Sequence, residues 1–127
     1  PQTLKEKFNN EGIIDQRKID LLNDFITVCN MNNIELILVE SPLFYPKGKL
    51  TDSDKLIEEK IIQISLERKI PFIRITQETY PDFISPSMFW DVLHLNDDGA
   101  RFFSEILSNE INRLGCLDAV RQGESDM

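Results

Sequence analysis

Two short apolar runs constrain the fold of this chain more than any other feature: residues 34–39 (Ile-Glu-Leu-Ile-Leu-Val) and residues 71–75 (Pro-Phe-Ile-Arg-Ile). Both are rich in β-branched side chains and bounded by turn formers, the pattern of strands covered on both faces, as in a parallel sheet. Proline is tolerated at the first position of the second run because a strand's first residue can do without its ladder N–H. Each run follows a stretch with helical periodicity. From about Asp15 to Asn30 the apolar positions Ile19, Leu22, Phe25, Ile26 and Cys29 share one helical face, and Asn32-Asn33 stops the helix. A second helix, capped by Asp52 or Ser53 and running to about Lys69, turns Ile57, Ile61 and Ile64 inward.

Beyond the second strand lies a long aromatic loop containing Pro81 and Pro86. A last helix, capped by Asn96 or Asp97, presents Ala100, Phe103, Leu107, Ile111 and Leu114, and Gly115 ends it. The order helix, strand, helix, strand, helix predicts an α/β fold with right-handed crossovers. A parallel sheet of two strands is small, so either a further strand lies unrecognised within the chain or further strands come from a second copy or, the preferred reading, from a segment preceding Pro1. The whole of residues 1–117 is read as one portion of an α/β domain, and 118–127 as a polar tail.

Composition narrows the partners. The chain has 127 residues, enough for one domain, and a net charge of −8. Such a charge repels phosphate backbones and anionic membrane surfaces, which argues against nucleic-acid binding. No apolar run reaches the length of a membrane-spanning helix, and no signal-peptide core is visible, so a soluble chain without membrane insertion is expected, its compartment unknown. Cys29 and Cys116 are read as plain thiols, since their placement makes no disulfide framework. One histidine and no zinc spacing leave metal and cofactor both unexpected.

Asp91 and that histidine, His94, stand three residues apart in the loop leading into the last helix. An aspartate so placed can accept the imidazole Nδ1 proton and leave Nε2 to take a proton from a hydroxyl. Loops following parallel strands gather at the sheet edge where ligands bind, which places residues 76–94 and 41–50 there. A weaker alternative is metal assistance by Asp91, His94 and Asp97 or Asp98.

The string at residues 90–103, Trp-Asp-Val-Leu-His-Leu-Asn-Asp-Asp-Gly-Ala-Arg-Phe-Phe, resembles the last sequence block of the SGNH (GDSL-like) hydrolases. There an aspartate and a histidine separated by two residues precede the final helix, and Leu-Asn and then Gly-Ala follow. The resemblance implies a flavodoxin-like three-layer α/β/α sandwich represented by its C-terminal half. It makes His94 the general base and Asp91 its orienting partner, with Leu95 and Asn96 as positioning residues at the helix start, not catalysts, and Asn96 also a candidate for substrate binding. Trp90 and Phe89 either line the site or plug the helix onto the sheet, the second being preferred for Trp90. The activity implied is ester hydrolysis on a small-molecule or carbohydrate ester.

The departures are specific. This sequence has neither the family's Gly-Asp-Ser nucleophile block nor its Gly-x-Asn-Asp oxyanion block. The nucleophile is therefore expected in a segment upstream of Pro1, and the chain alone is expected to be inactive. Ser41, directly after a strand, is the internal candidate for a replacement, against the favoured reading that it opens a turn before Pro42. Ser85 and Ser87 are read as substrate or turn residues. The competing functional class is an inactive remnant serving as an interaction module, with Tyr80, Phe83, Phe89 and Trp90 as its contact surface.

Overall fold

The computed structural model describes residues 14–44 and 52–115. Residues 1–13, most of the 41–50 loop, Cys116 and the 118–127 tail lie outside the described residues. The elements are α1 (Gln16–Met31), β1 (Leu38–Glu40), α2 (Asp52–Arg68), β2 (Phe72–Arg74), two 3-10 turns (Pro81–Ile84 and Pro86–Met88) and α3 (Asp97–Arg113). β1 and β2 form a two-stranded parallel sheet, giving a mixed α/β chain of three helices and two strands among the described residues. The chain divides into two compact units: residues 1–38 with 50–70, and residues 39–49 with 71–127.

The first unit is built on aliphatic burial. Ile19 and Ile26 of α1, Ile64 of α2 and Ile70 form its core, with Ile14, Leu22, Leu36 and Leu38 packed around them. Cys29 is buried as a free thiol. Both helices are closed by one device. Asn33 and Lys69 adopt positive φ, and the following residue's N–H reaches back: Ile34 to the Cys29 carbonyl and Ile70 to the Ser65 carbonyl, each at 2.9 Å. This bond, from one residue past the left-handed position, satisfies a terminal carbonyl and turns the chain out of the helix. At the other end of α1, Asp15 caps by accepting from the Arg17 N–H. Arg68 ties α2 to α1 by donating to the Asn23 side chain at 3.2 Å and to the Thr27 hydroxyl at 2.9 Å.

Several expectations shift here. The strands are shorter than the apolar runs that suggested them, and Ile34 and Val39 are exposed, so the first run is not covered on both faces. Phe25, expected to face inward, is 55% exposed, and Ile57 is also exposed. The inward stripe of α1 is the narrower set Ile19, Leu22, Ile26 and Cys29, because α2 covers only part of a wide apolar arc.

The second unit holds the sheet register and the aromatic core. The Ile75 N–H donates to the Glu40 carbonyl at 3.0 Å, and Arg74 pairs with Glu40 at 3.2 Å. Backbone groups alternate sides along a strand, so the Arg74 carbonyl points away from β1, and there the Thr79 hydroxyl donates to it at 2.7 Å. Thr79 also donates its N–H to the Thr76 hydroxyl, and the Tyr80 N–H donates to the Thr76 carbonyl, coiling the chain as it leaves β2. Phe83 is fully buried, tilted against Phe102 of α3 at 4.8 Å between centroids and edge-on to Phe89 at 6.3 Å; Phe89 in turn meets Phe44 at 5.5 Å. The buried face of α3 runs through Gly99 and Ile106 with Phe102, Phe103, Leu107 and Ile111 half-buried, while Ala100 and Leu114, expected inside, are exposed. Gly115, at φ 74°, ends the helix in the left-handed conformation glycine favours.

Candidate active site

The segment from Ser85 to Asn96 is held by hydrogen bonds and by the burial of Phe89. Ser85 caps the second 3-10 turn by accepting from the Ser87 N–H, and its hydroxyl pairs with that of Ser87 at 2.7 Å. These serines are turn residues. Asn96 then clamps the turn to α3. Its backbone N–H donates to the Met88 carbonyl at 3.0 Å and its Nδ2 to the Ser87 carbonyl at 2.6 Å, while its Oδ1 accepts from the Gly99 N–H at 2.9 Å. Asn96, not Asp97, is the cap, and Asp97 and Asp98 fill the first turn, where carboxylates favour the helix dipole. Gly99 is required by contact: a Cβ there would collide with the Met88 carbonyl oxygen.

From this base the chain runs out and back. Phe89 bridges Leu95 in an antiparallel pair, and the Trp90 N–H donates to the His94 carbonyl at 2.8 Å. At the tip, Asp91 Oδ1 accepts from the N–H groups of Leu93 at 2.8 Å and of His94 at 2.9 Å. The Phe44 N–H donates to the Val92 carbonyl at 3.0 Å, so the loop that follows β1 braces the tip.

Within this turn Asp91 and His94 meet. The imidazole Nδ1 lies 2.8 Å from Asp91 Oδ1 and 3.0 Å from Oδ2. The Asp91 carboxyl is held below the ordinary carboxylate range, first by the Leu93 N–H and then by the His94 side chain. An ionised carboxylate can only accept, so the proton between them sits on Nδ1, and a neutral ring presents the Nε2 lone pair outward. The side chains are 58% and 69% exposed for Asp91 and His94, so Nε2 is open to solvent. Such a pair can take a proton from an approaching hydroxyl and return it to a leaving group.

The other sequence candidates fall in different places. Trp90 is 77% exposed and does not plug α3 onto the sheet. Phe89 is buried in the aromatic cluster with Phe44 and Phe83 and does not line the open site. Phe83 is likewise interior, so the aromatic contact surface expected of Tyr80, Phe83, Phe89 and Trp90 reduces to Trp90 with half-buried Tyr80, whose hydroxyl donates to Glu110 at 2.8 Å. Ser41 is exposed just after β1, beside the fully buried Pro42, and among the described residues no hydroxyl bonds His94 Nε2. Asn96 clamps the turn through its backbone N–H, Nδ2 and Oδ1, which fits a positioning role. No group of three or more His, Cys, Asp or Glu side chains that could hold a metal ion occurs among the described residues, so Asp97 and Asp98 do not join the pair as ligands. No described helix is long and apolar enough to cross a membrane.

Residues that sequence reasoning missed are Phe44, which braces the tip through its N–H, and Met88, whose carbonyl accepts from the Asn96 N–H. The Ser-Pro-Ser triplet carried a turn signal but no hint of what the turn would grip. No family model, no curated protein and no solved structure matches the chain.

Proposed function

We propose that Asp91 and His94 are the acid and base of a serine ester hydrolase site, in an SGNH-like domain of flavodoxin-like α/β/α architecture. The observation that carries this reading is the paired geometry itself: Nδ1 bonded to an ionised carboxylate, and Nε2 facing outward from a turn fixed by its own backbone. In this reading the nucleophilic serine comes from polypeptide preceding Pro1. Its Oγ attacks the ester carbonyl as Nε2 takes the Oγ proton. The imidazolium, stabilised by Asp91, then delivers that proton to the departing alkoxide, leaving an acyl-enzyme. Water, deprotonated by the same Nε2, releases the acid and restores the serine. The resemblance supplies the substrate class, a small-molecule or carbohydrate ester.

The test is fluorophosphonate labelling of the protein translated from the full reading frame. The expected result is labelling of a serine in an upstream Gly-Asp-Ser segment, loss of labelling in His94→Ala, and a fall of at least ~10³-fold in esterase kcat for Asp91→Asn. A full-length protein that takes no label, or that labels equally with His94 removed, overturns the reading and leaves the interaction module.

A further inference from the structure

Between Asp91 and His94 one peptide unit, joining Val92 to Leu93, is gripped at both ends. Its N–H donates to Asp91 Oδ1 at 2.8 Å, and its C=O accepts from the Phe44 N–H at 3.0 Å. The unit is planar and trans, so these two groups point in opposite directions. Phe44 on one side therefore sets the direction of the donor on the other. At the apex of a turn such a plane can rotate by opposite changes in ψ of Val92 and φ of Leu93, moving its neighbours little. Both side chains are exposed, so little packing resists that rotation. The Phe44 end is anchored. Its ring lies 5.5 Å from that of Phe89, which is buried and meets the fully buried Phe83 edge-on, and Pro42, two residues upstream, is fully buried too. On the far side, Asp91 Oδ1 serves the Leu93 N–H, the His94 N–H and the imidazole Nδ1 together. Without the Leu93 donor, the carboxylate loses one of the bonds that keep it facing the ring.

We infer that Phe44 is a positioning residue for the His94 base: its N–H, acting through the Val92–Leu93 peptide, holds the Asp91 carboxylate in line with Nδ1. The inference rests on the hydrolase reading for the word base, and on the bond geometry for the rest. The loop after β1 is thereby a control point of the pair. A displacement of Phe44 reaches the imidazole through three hydrogen bonds and one rigid peptide plane.

The test removes the donor and keeps the ring: the α-hydroxy acid analogue of phenylalanine at position 44 replaces the N–H by an ester oxygen. In this protein, checked for folding by circular dichroism, the His94 ring ¹⁵N shifts are expected to change from Nδ1–H alone to a mixture of tautomers. Amide exchange at Leu93 should rise several-fold, as for the loss of one hydrogen bond. Phe44→Leu, which keeps the N–H, should keep Nδ1–H alone. A merely structural role would lower stability in both proteins and leave the tautomer unmoved. The reciprocal measurement needs no altered backbone and decides the matter if the ester protein does not fold. Asp91→Ala releases the Leu93 N–H, and amide exchange at Phe44 should then rise several-fold, because coupling between two sites runs both ways. An unmoved tautomer in the folded ester protein, or unchanged Phe44 exchange in Asp91→Ala, overturns the inference. The two readings fail separately. In the full-length protein the same backbone ester is expected to lower esterase kcat about tenfold with KM unchanged. Esterase activity with kcat and tautomer both unmoved refutes the role of Phe44 and keeps the hydrolase. A shifted tautomer in a full-length protein without esterase activity keeps the role of Phe44 in holding the pair and refutes the hydrolase.

Discussion

The aliphatic core of the first unit and the Ser85–Asn96 segment of the second are stabilised in opposite ways. In the first, Ile19, Ile26, Ile64 and Ile70 are packed by non-directional burial, and few individual polar atoms matter. In the second, the tip residues are exposed, and their shape rests on Asp91 Oδ1, Asn96 and a handful of backbone donors. A packed core tolerates exchange of one apolar group for another of similar volume. A hydrogen-bonded turn tolerates a change of side chain only where the accepting atom stays put. The first unit is therefore expected to lose stability by degrees, and the site to lose geometry without losing much stability.

The largest effect should come from the core. Ile26→Ala removes a fully buried side chain and is expected to cost about 2–5 kcal/mol in urea unfolding, with the His94 ring resonances unmoved. A cost below about 1 kcal/mol would mean the four isoleucines do not form a tight cluster. Next is Gly99→Ala, whose methyl meets the Met88 carbonyl; a loss of about 1–3 kcal/mol is expected, together with shifted amide resonances at Ser87 and Asn96. Asn96→Ala should cost about 0.5–2 kcal/mol as a lost cap and, unlike Ile26→Ala, should broaden or shift the His94 signals. Unchanged His94 signals there would show that the clamp does not reach the pair.

The smallest effects on stability are expected at Asp91, and they sharpen the contrast most. Its folded carboxyl titrates below the ordinary range, so its bonds are intact at pH values above about 4 and are lost as the pH falls further, through the lowered value. Amide shifts of Leu93 and His94 followed by NMR should move together in that acid window; a midpoint at or above pH 4 contradicts the assigned bonding. Asp91→Asn keeps an oxygen for both N–H groups, so the melting temperature should change little. The ring's ¹⁵N shifts, however, should reveal a mixture of tautomers in place of Nδ1–H alone.

The sequence carried the order of elements because helical and strand periodicities are local. It narrowed the α3 cap to Asn96 or Asp97 and placed the Gly115 stop for the same reason: both are read from a few neighbouring residues. What it could not carry was the depth to which each face is covered. Phe25 and Ile26 are both strongly apolar, and only the tertiary packing of Ile64, Ile70 and their neighbours decides that Ile26 is the buried one. Likewise Phe89 and Trp90 are adjacent aromatics, and the Leu95 bridge determines which turns inward. At the site, the Asp-x-x-His spacing pointed to the bonded pair, but the braces from Phe44 and the Ser85 turn come from segments whose proximity no spacing encodes.

Thr79 has a consequence for how this molecule meets others. Its hydroxyl occupies the outward carbonyl of Arg74, so a foreign strand sliding along that flank finds the acceptor already taken after a single short stretch. Pairing of a further strand along that flank of β2 has to displace the Thr79 hydroxyl first.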